Sequence, residues 1–299
     1  MPAESIAQQL RCIRDLLRYA VTRFNQAGLN FGHGSDNAYD EAAYLILHTL
    51  HLPLDRLEPF FDAVLLPAEI LGVLSVIERR VSERLPAAYI TQEAWLGECR
   101  FYVDERVIVP RSHIAELIDE GFTTWLPDSD KVKRALDLCT GSGCLAILLA
   151  LAFPGATVDA ADLSVGALQV ARRNVDDYGL SKRVKLVQSD LFDGLVGTRY
   201  QLIVSNPPYV DEASMRSLPQ EYQHEPVQAL AGGRDGLDLV RRILEQARKQ
   251  LSPGGILVVE VGNGRQAVED AFPDLQPTWL ETRAGGDQVF LVERDQLPA

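Results

Sequence analysis

A chain of 299 residues with 46% hydrophobic content is long enough for one large core and a second, smaller one, so two domains are expected. Its formal net charge of −13 repels phosphate and attracts basic partners, so the expected partner is a basic protein and direct nucleic-acid binding is not expected. Met1 to Leu10 carries Glu4, Gln8 and Gln9, the longest apolar run is Cys144 to Phe153, and Cys12, Cys99, Cys139 and Cys144 show no two-residue spacing, which argues against a signal peptide, a membrane anchor, a zinc site and a disulfide framework, and for a metal-free cytoplasmic protein.

In chain order, Ile6, Leu10, Ile13, Leu17, Ala20 and Phe24 recur at steps of four and three, predicting one amphipathic helix that ends near Gly28. A second helix is predicted from about Ala38 to Leu50. A third carries Ile70, Val73, Ile77, Val81 and Leu85 on one face, follows Pro67 and stops before Pro86. Residues 1–93 therefore read as a small helical domain. Between Ala94 and Val109 the residues turn aromatic and β-branched (Trp95, Phe101, Tyr102, Val103, Val107, Ile108, Val109) around a polar Asp104-Glu105-Arg106 break, predicting a linking β-hairpin over 94–110.

From Arg134 onward apolar strands alternate with helical stripes, the pattern of a parallel sheet wrapped by helices. Strands are predicted at Ala135–Cys139, Thr157–Asp162, Val184–Ser189, Leu202–Ser205, Ile256–Val261, Trp279–Arg283 and Val289–Val292. Helical stripes include Leu168, Ala171, Val175, Tyr178 and Leu237, Val240, Leu244, Ala247, Leu251. Ala284-Gly285-Gly286-Asp287 is too short for a helical crossover, so the last strand is expected to run antiparallel. The fold class is α/β, a Rossmann-like seven-stranded sheet with an antiparallel final strand, filling residues 111–299.

Three motifs carry chemistry. The first strand runs into Asp137-Leu138-Cys139-Thr140-Gly141-Ser142-Gly143-Cys144, where the glycines permit a tight turn and close approach of a ligand. Gly141, Gly143 and Ala146 also satisfy a dinucleotide fingerprint, so this turn alone does not choose the cofactor. Asp162 ends the second strand, where a carboxylate can accept both ribose hydroxyl hydrogens, and Asp190 ends the third, beside Leu191 and Phe192, where it suits an adenine amino group. A sulfonium cofactor suits this acidic cleft better than a pyrophosphate.

After the fourth strand stands Asn206-Pro207-Pro208-Tyr209. Two prolines hold the backbone extended and remove two N–H donors, leaving the Asn206 side-chain oxygen and the Pro207 carbonyl as acceptors for a planar NH₂ group, with Tyr209 to cover it. Methylating an amide nitrogen needs no general base, since the methylated, protonated nitrogen is strongly acidic. None of the five histidines sits in a catalytic motif.

The set Asp137 to Cys144, Asp162, Asp190 and Asn206 to Tyr209 resembles the glutamine-N5 protein methyltransferases that modify translation proteins. The resemblance covers nearly the whole chain, including the loop Glu225-Pro226 through Gly232-Gly233-Arg234-Asp235-Gly236-Leu237. It implies S-adenosyl-L-methionine as cofactor, bound by Asp137, Cys139, Thr140, Gly141, Ser142, Gly143, Asp162, Asp190, Leu191 and Asn206. It also implies that Asn206, Pro207, Pro208 and Tyr209 hold and activate a glutamine amide. Val109-Pro110-Arg111-Ser112-His113-Ile114-Ala115-Glu116-Leu117 looks like the branch acting on the third large-subunit ribosomal protein, free or during ribosome assembly, rather than the release-factor branch. Cys139 stands where many relatives have glycine.

Three other readings compete. A DNA N6-adenine methyltransferase would use the same Asn-Pro-Pro-Tyr loop, but residues 1–95 hold eight Lys or Arg against twelve Asp or Glu and so offer no basic groove. A nicotinamide-dependent oxidoreductase shares the glycine turn and leaves residues 206–209 without a role. The third is a ribosome-associated binding module that retains the fold without the activity.

Overall fold

The computed structural model describes residues 3–283 and 285–298. Met1, Pro2, Ala284 and Ala299 lie outside them, so the sequence readings at the start of Met1–Leu10 and at Ala284 of the final loop fall partly outside the described residues. Contacts divide the chain into a helical unit up to Ala94, which also includes Pro219–His224, and a sheet unit of Trp95–Leu218 and Glu225–Ala299.

In the helical unit the stripe predicted as one helix is two, Ala3–Ala7 and Ile13–Ala27. The break has a local cause: the Asp15 carboxylate accepts the N–H groups of Arg11 (2.9 Å) and Cys12 (3.4 Å), opening a new helix at Ile13. Cys12 also bridges to Val64, and Leu65 N–H donates to the Arg11 carbonyl at 2.9 Å. Gly28 closes this helix in the left-handed conformation, φ 58°. The helices Ala38–Thr49 and Pro67–Ser82 pack on it through Ile13, Leu16, Phe24, Leu45, Ile46, Val73 and Ile77. The last helix also buries Arg80, whose guanidinium donates to Glu41 at 2.7 Å and to the Asn30 carbonyl at 2.8 Å. Burial pushes the Glu41 carboxyl above its usual range, and Arg80 opposes that shift.

The hairpin falls earlier than the sequence suggests. Its strands are β1 (Glu93–Leu96) and β2 (Cys99–Tyr102), joined at Gly97-Glu98. Asp104 accepts from Tyr102 Oη and from the Arg106 backbone and guanidinium. The polar trio is therefore a side-chain-closed turn, and no second strand follows it.

The main sheet has the order β5-β4-β3-β6-β7-β9-β8. Its strands are β3 (Arg134–Leu138), β4 (Thr157–Asp162), β5 (Val184–Gln188), β6 (Tyr200–Ser205), β7 (Leu251–Glu260), β8 (Thr278–Thr282) and β9 (Gly285–Glu293). β9 runs antiparallel to both β7 and β8, and the other pairs are parallel. This is the expected seven-stranded fold with its antiparallel final strand. Alternate residues feed cores on opposite faces: Ala135, Val204 and Val258 pack with the helix Cys144–Ala152. Leu136, Ile203 and Leu257 pack with Val240, Ile243 and Leu244 of the helix Asp238–Gln250. Both faces are covered, which leaves the carboxyl edge of the parallel strands for a ligand. Among the described residues no helix is long and apolar enough to cross a membrane.

Candidate active site

The turn after β3 is set by alternating left-handed residues: Cys139 (φ 64°), Gly141 (φ 54°) and Gly143 (φ 81°). The two glycines serve different needs. A Cβ at Gly143 would lie 3.1 Å from the Ala171 Cβ, so its absence lets the turn pack on the helix Val165–Asp177, whereas a Cβ at Gly141 would meet nothing. Cys139, a non-glycine residue, holds this left-handed conformation at a cost on the order of 1 kcal/mol. Beneath the turn Asp137 is fully buried; its Oδ2 accepts from Thr140 Oγ1 and from the Ala146 N–H. Among the described residues its Oδ1 has no hydrogen-bond partner, and burial pushes this carboxyl up to about 7.

Asp162, at the end of β4, accepts the Gly141 N–H on one oxygen and the Ser164 N–H on the other, both at 2.8 Å. Each oxygen keeps acceptor capacity toward the cavity it lines. Burial raises this carboxyl above its usual range against those backbone bonds. Beyond β5, Ser189 Oγ donates to the Leu191 carbonyl (2.6 Å) and accepts from Gly194 N–H (2.8 Å), closing a turn that holds Leu191 at φ 49°. Asp190 next to it pairs with Arg242 at 2.9 Å.

These strand ends enclose one cavity of about 390 Å³, within the roughly 300–1,000 Å³ of small-molecule sites. Of the residues picked out in the sequence, Cys139, Gly141, Asp162, Asp190, Leu191, Asn206 and Pro208 line it. Asp137, Thr140, Ser142 and Gly143 shape the turn from behind, and Pro207 and Tyr209 stand outside the lining.

The loop after β6 begins where Ser205 Oγ donates to the Leu138 carbonyl (2.8 Å), fastening it to the strand that carries the glycine turn. Asn206 is half-buried and faces the cavity. The Tyr209 ring lies over Gly262, where a Cβ would come within 2.6 Å of it. Its hydroxyl reaches Glu260 at 3.4 Å. Val210 N–H donates to the Leu230 carbonyl (2.9 Å), and Gly232 N–H to the Val210 carbonyl (2.8 Å). A Cβ at Gly232 would sit 2.7 Å from the Tyr209 Cα. The glycine-rich loop 232–236 is thus the surface on which the reaction loop rests.

Several contributors have no local signature. Asn174, buried mid-helix, donates to the Ser142 carbonyl (2.8 Å) and exchanges two hydrogen bonds with the backbone of Tyr102, tying β2 to the glycine turn. Arg242 and Glu260 read in sequence as an exposed helix position and a strand end.

The methyltransferase small domain family matches residues 115–233. The chain is 61% identical over 290 residues to the ribosomal protein uL3 glutamine methyltransferase of Bordetella pertussis, covering 97% of each chain. It is 60% identical to the protein of that name from Neisseria meningitidis serogroup B, covering 97% of this chain and 96% of the relative. Among solved structures, the catalytic domain of hMettl16 superposes with TM-score 0.51 at 16% identity, over 75% of this chain and 80% of that one, a likeness of fold alone.

Proposed function

The chain belongs to the family of ribosomal protein uL3 glutamine methyltransferases, and from that membership we propose that it methylates the side-chain amide nitrogen (N5) of a glutamine in ribosomal protein uL3, using S-adenosylmethionine. The observation that supports this reading most is that Asp162, Asp190 and Asn206, delivered by the ends of three strands, line one cavity. The residues fit the cofactor. Asp162 retains acceptor capacity on both oxygens for a pair of ribose hydroxyls, Leu191 offers an apolar wall, and the three aspartates of the lining outnumber its two arginines, which favours a cation.

When bound, the cofactor supplies an electrophilic methyl group on a positively charged sulfur. The protein's part is orientation. The Asn206 side-chain oxygen and the Pro207 carbonyl accept the two amide hydrogens, which aims the nitrogen and favours its pyramidal form, in which the lone pair is free to attack. Pro208 contributes an apolar wall and no competing N–H. Once the C–N bond forms, the surplus proton leaves nitrogen for water. Residues 1–93 serve as the recognition domain, and the net charge of −13 favours a basic ribosomal protein over nucleic acid, met in the cytoplasm before or during ribosome assembly.

The test is transfer of a labelled methyl group to purified uL3, with a release factor and ribosomal RNA as parallel acceptors. Labelling of uL3 that disappears when its acceptor glutamine is replaced supports the reading; preferential labelling of the release factor or the RNA overturns it.

A further inference from the structure

Glu260 ends β7 one position beyond Val259, which pairs with Ser205 of β6. Its carboxylate therefore emerges at the carboxyl edge beside the start of the reaction loop. It is 1% exposed, and among the described residues no lysine or arginine lies within ion-pair distance of it. Burial raises this carboxyl above its usual range, opposed by the Ser112 hydrogen bond and by His113. Sheet packing does not call for a charge here. What the carboxylate does is gather donors from two distant segments: Ser112 Oγ at 2.6 Å and His113 N–H at 2.9 Å on one oxygen, Tyr209 Oη at 3.4 Å on the other.

The same segment is gripped a second time. Glu225 takes the Val109 N–H at 2.9 Å and both Arg111 guanidinium nitrogens at 2.6 and 2.7 Å. Residues 109–113 are thus fixed by two carboxylates, one at the sheet edge and one just upstream of Pro226, a residue of the cavity wall. Glu260 continues to the reaction loop through the Tyr209 hydroxyl, and Gly262 leaves room for the Tyr209 ring.

We infer that Glu260 is a positioning residue for methyl transfer, holding Tyr209, and with it the Asn206–Tyr209 loop, in register with the Ser112–His113 segment. This rests on the reading of that loop as the amide-binding site. Glu260 touches no reacting atom; it acts through Tyr209.

The test uses the full-length enzyme with Glu260→Gln, Tyr209→Phe and the double variant. Misplacing a reacting group by an ångström can cost about a hundredfold in rate. Glu260→Gln and Tyr209→Phe should each slow single-turnover methylation of uL3 by about tenfold or more, with cofactor Kd moving less than about threefold. The double variant should be no slower than the slower single one, since both changes cut one connection. A second readout is independent of activity: the ¹³Cζ resonance of Tyr209, assigned by its loss in Tyr209→Phe, should shift in Glu260→Gln. If Glu260→Gln is insoluble, Ser112→Ala carries the same expectation for that resonance and for the rate. An unmoved resonance with wild-type turnover, or losses that multiply in the double variant, overturns the inference. A shifted resonance in an enzyme that methylates no glutamine leaves the connection standing and overturns the proposed function instead.

Discussion

The cavity wall that carries Asp162 and the wall that carries Asn206 are held over different chain distances. On the Asp162 side several restraints are short, namely a turn of alternating left-handed residues over 139–143, Asp162 closing on Ser164, and Ser189 knotting the turn to Gly194, and they are joined by longer ones from Gly141 to Asp162 and from Asn174 to Ser142 and Tyr102. On the Asn206 side the loop depends on Leu138, Glu260 and Gly262, which the sheet brings near it at or just past other strand ends, and on Leu230 and Gly232 of the segment that follows it. A cofactor site can be assembled from local turns at strand ends. A site that must aim a substrate nitrogen is buttressed from several strands, and its geometry is the more easily lost.

The sharpest way to break this contrast is Gly232→Ala. The added Cβ would come 2.7 Å from the Tyr209 Cα, a backbone atom that has no easy escape, so the reaction loop must shift. Turnover should fall by about a hundredfold with cofactor affinity nearly unchanged; stopped-flow single-turnover assays beside calorimetry would read both. Asp162→Ala tests the other wall and should reverse the pattern. Losing a charged acceptor from the cofactor side should weaken affinity by roughly tenfold to a hundredfold, with turnover at saturating cofactor largely retained. Unchanged affinity by calorimetry would remove Asp162 from the site.

Asp137→Asn addresses stability. The folded-state value of this carboxyl is raised to about 7, so between its unfolded value near 4 and about 7 the folded state binds the extra proton. Its contribution is fully present at acid pH and is lost as pH rises through that window. Thermal melts of the wild type and the asparagine variant should therefore converge at low pH and separate toward pH 7, where the variant gains by roughly 2–4 kcal/mol; parallel curves would contradict the assignment. Arg242→Ala should have the smallest effect. Its pair with Asp190 is substantially exposed on both sides, so cofactor Kd should change only a few-fold.

The same contrast governs what the sequence discloses. The sheet and its antiparallel last strand follow from apolar strands spaced by helical stripes, and the cofactor-side residues follow from one turn and the acids at successive strand ends. Two local misreadings came from side chains acting on backbone: Asp15 and Cys12 split a helix whose apolar spacing continues through the break, and Asp104 closes a turn that resembled the middle of a hairpin. The supports of the reaction loop were out of reach for a different reason. Glu260, Ser112 and Gly262 acquire their roles through three-dimensional proximity to Tyr209, and no spacing along the chain encodes that.

Asn206 is the residue on which the account of amide orientation turns, and the most direct test is the single-turnover rate of Asn206→Asp on uL3 with cofactor saturating. The substitution keeps an acceptor of the same shape and adds a negative charge that favours the cofactor's cation before transfer rather than the amide during it. The account predicts that the variant binds cofactor and methylates at roughly a hundredth of the wild-type rate or less. A rate close to wild type would mean that Asn206 only shapes the loop and that the glutamine amide is oriented by other groups.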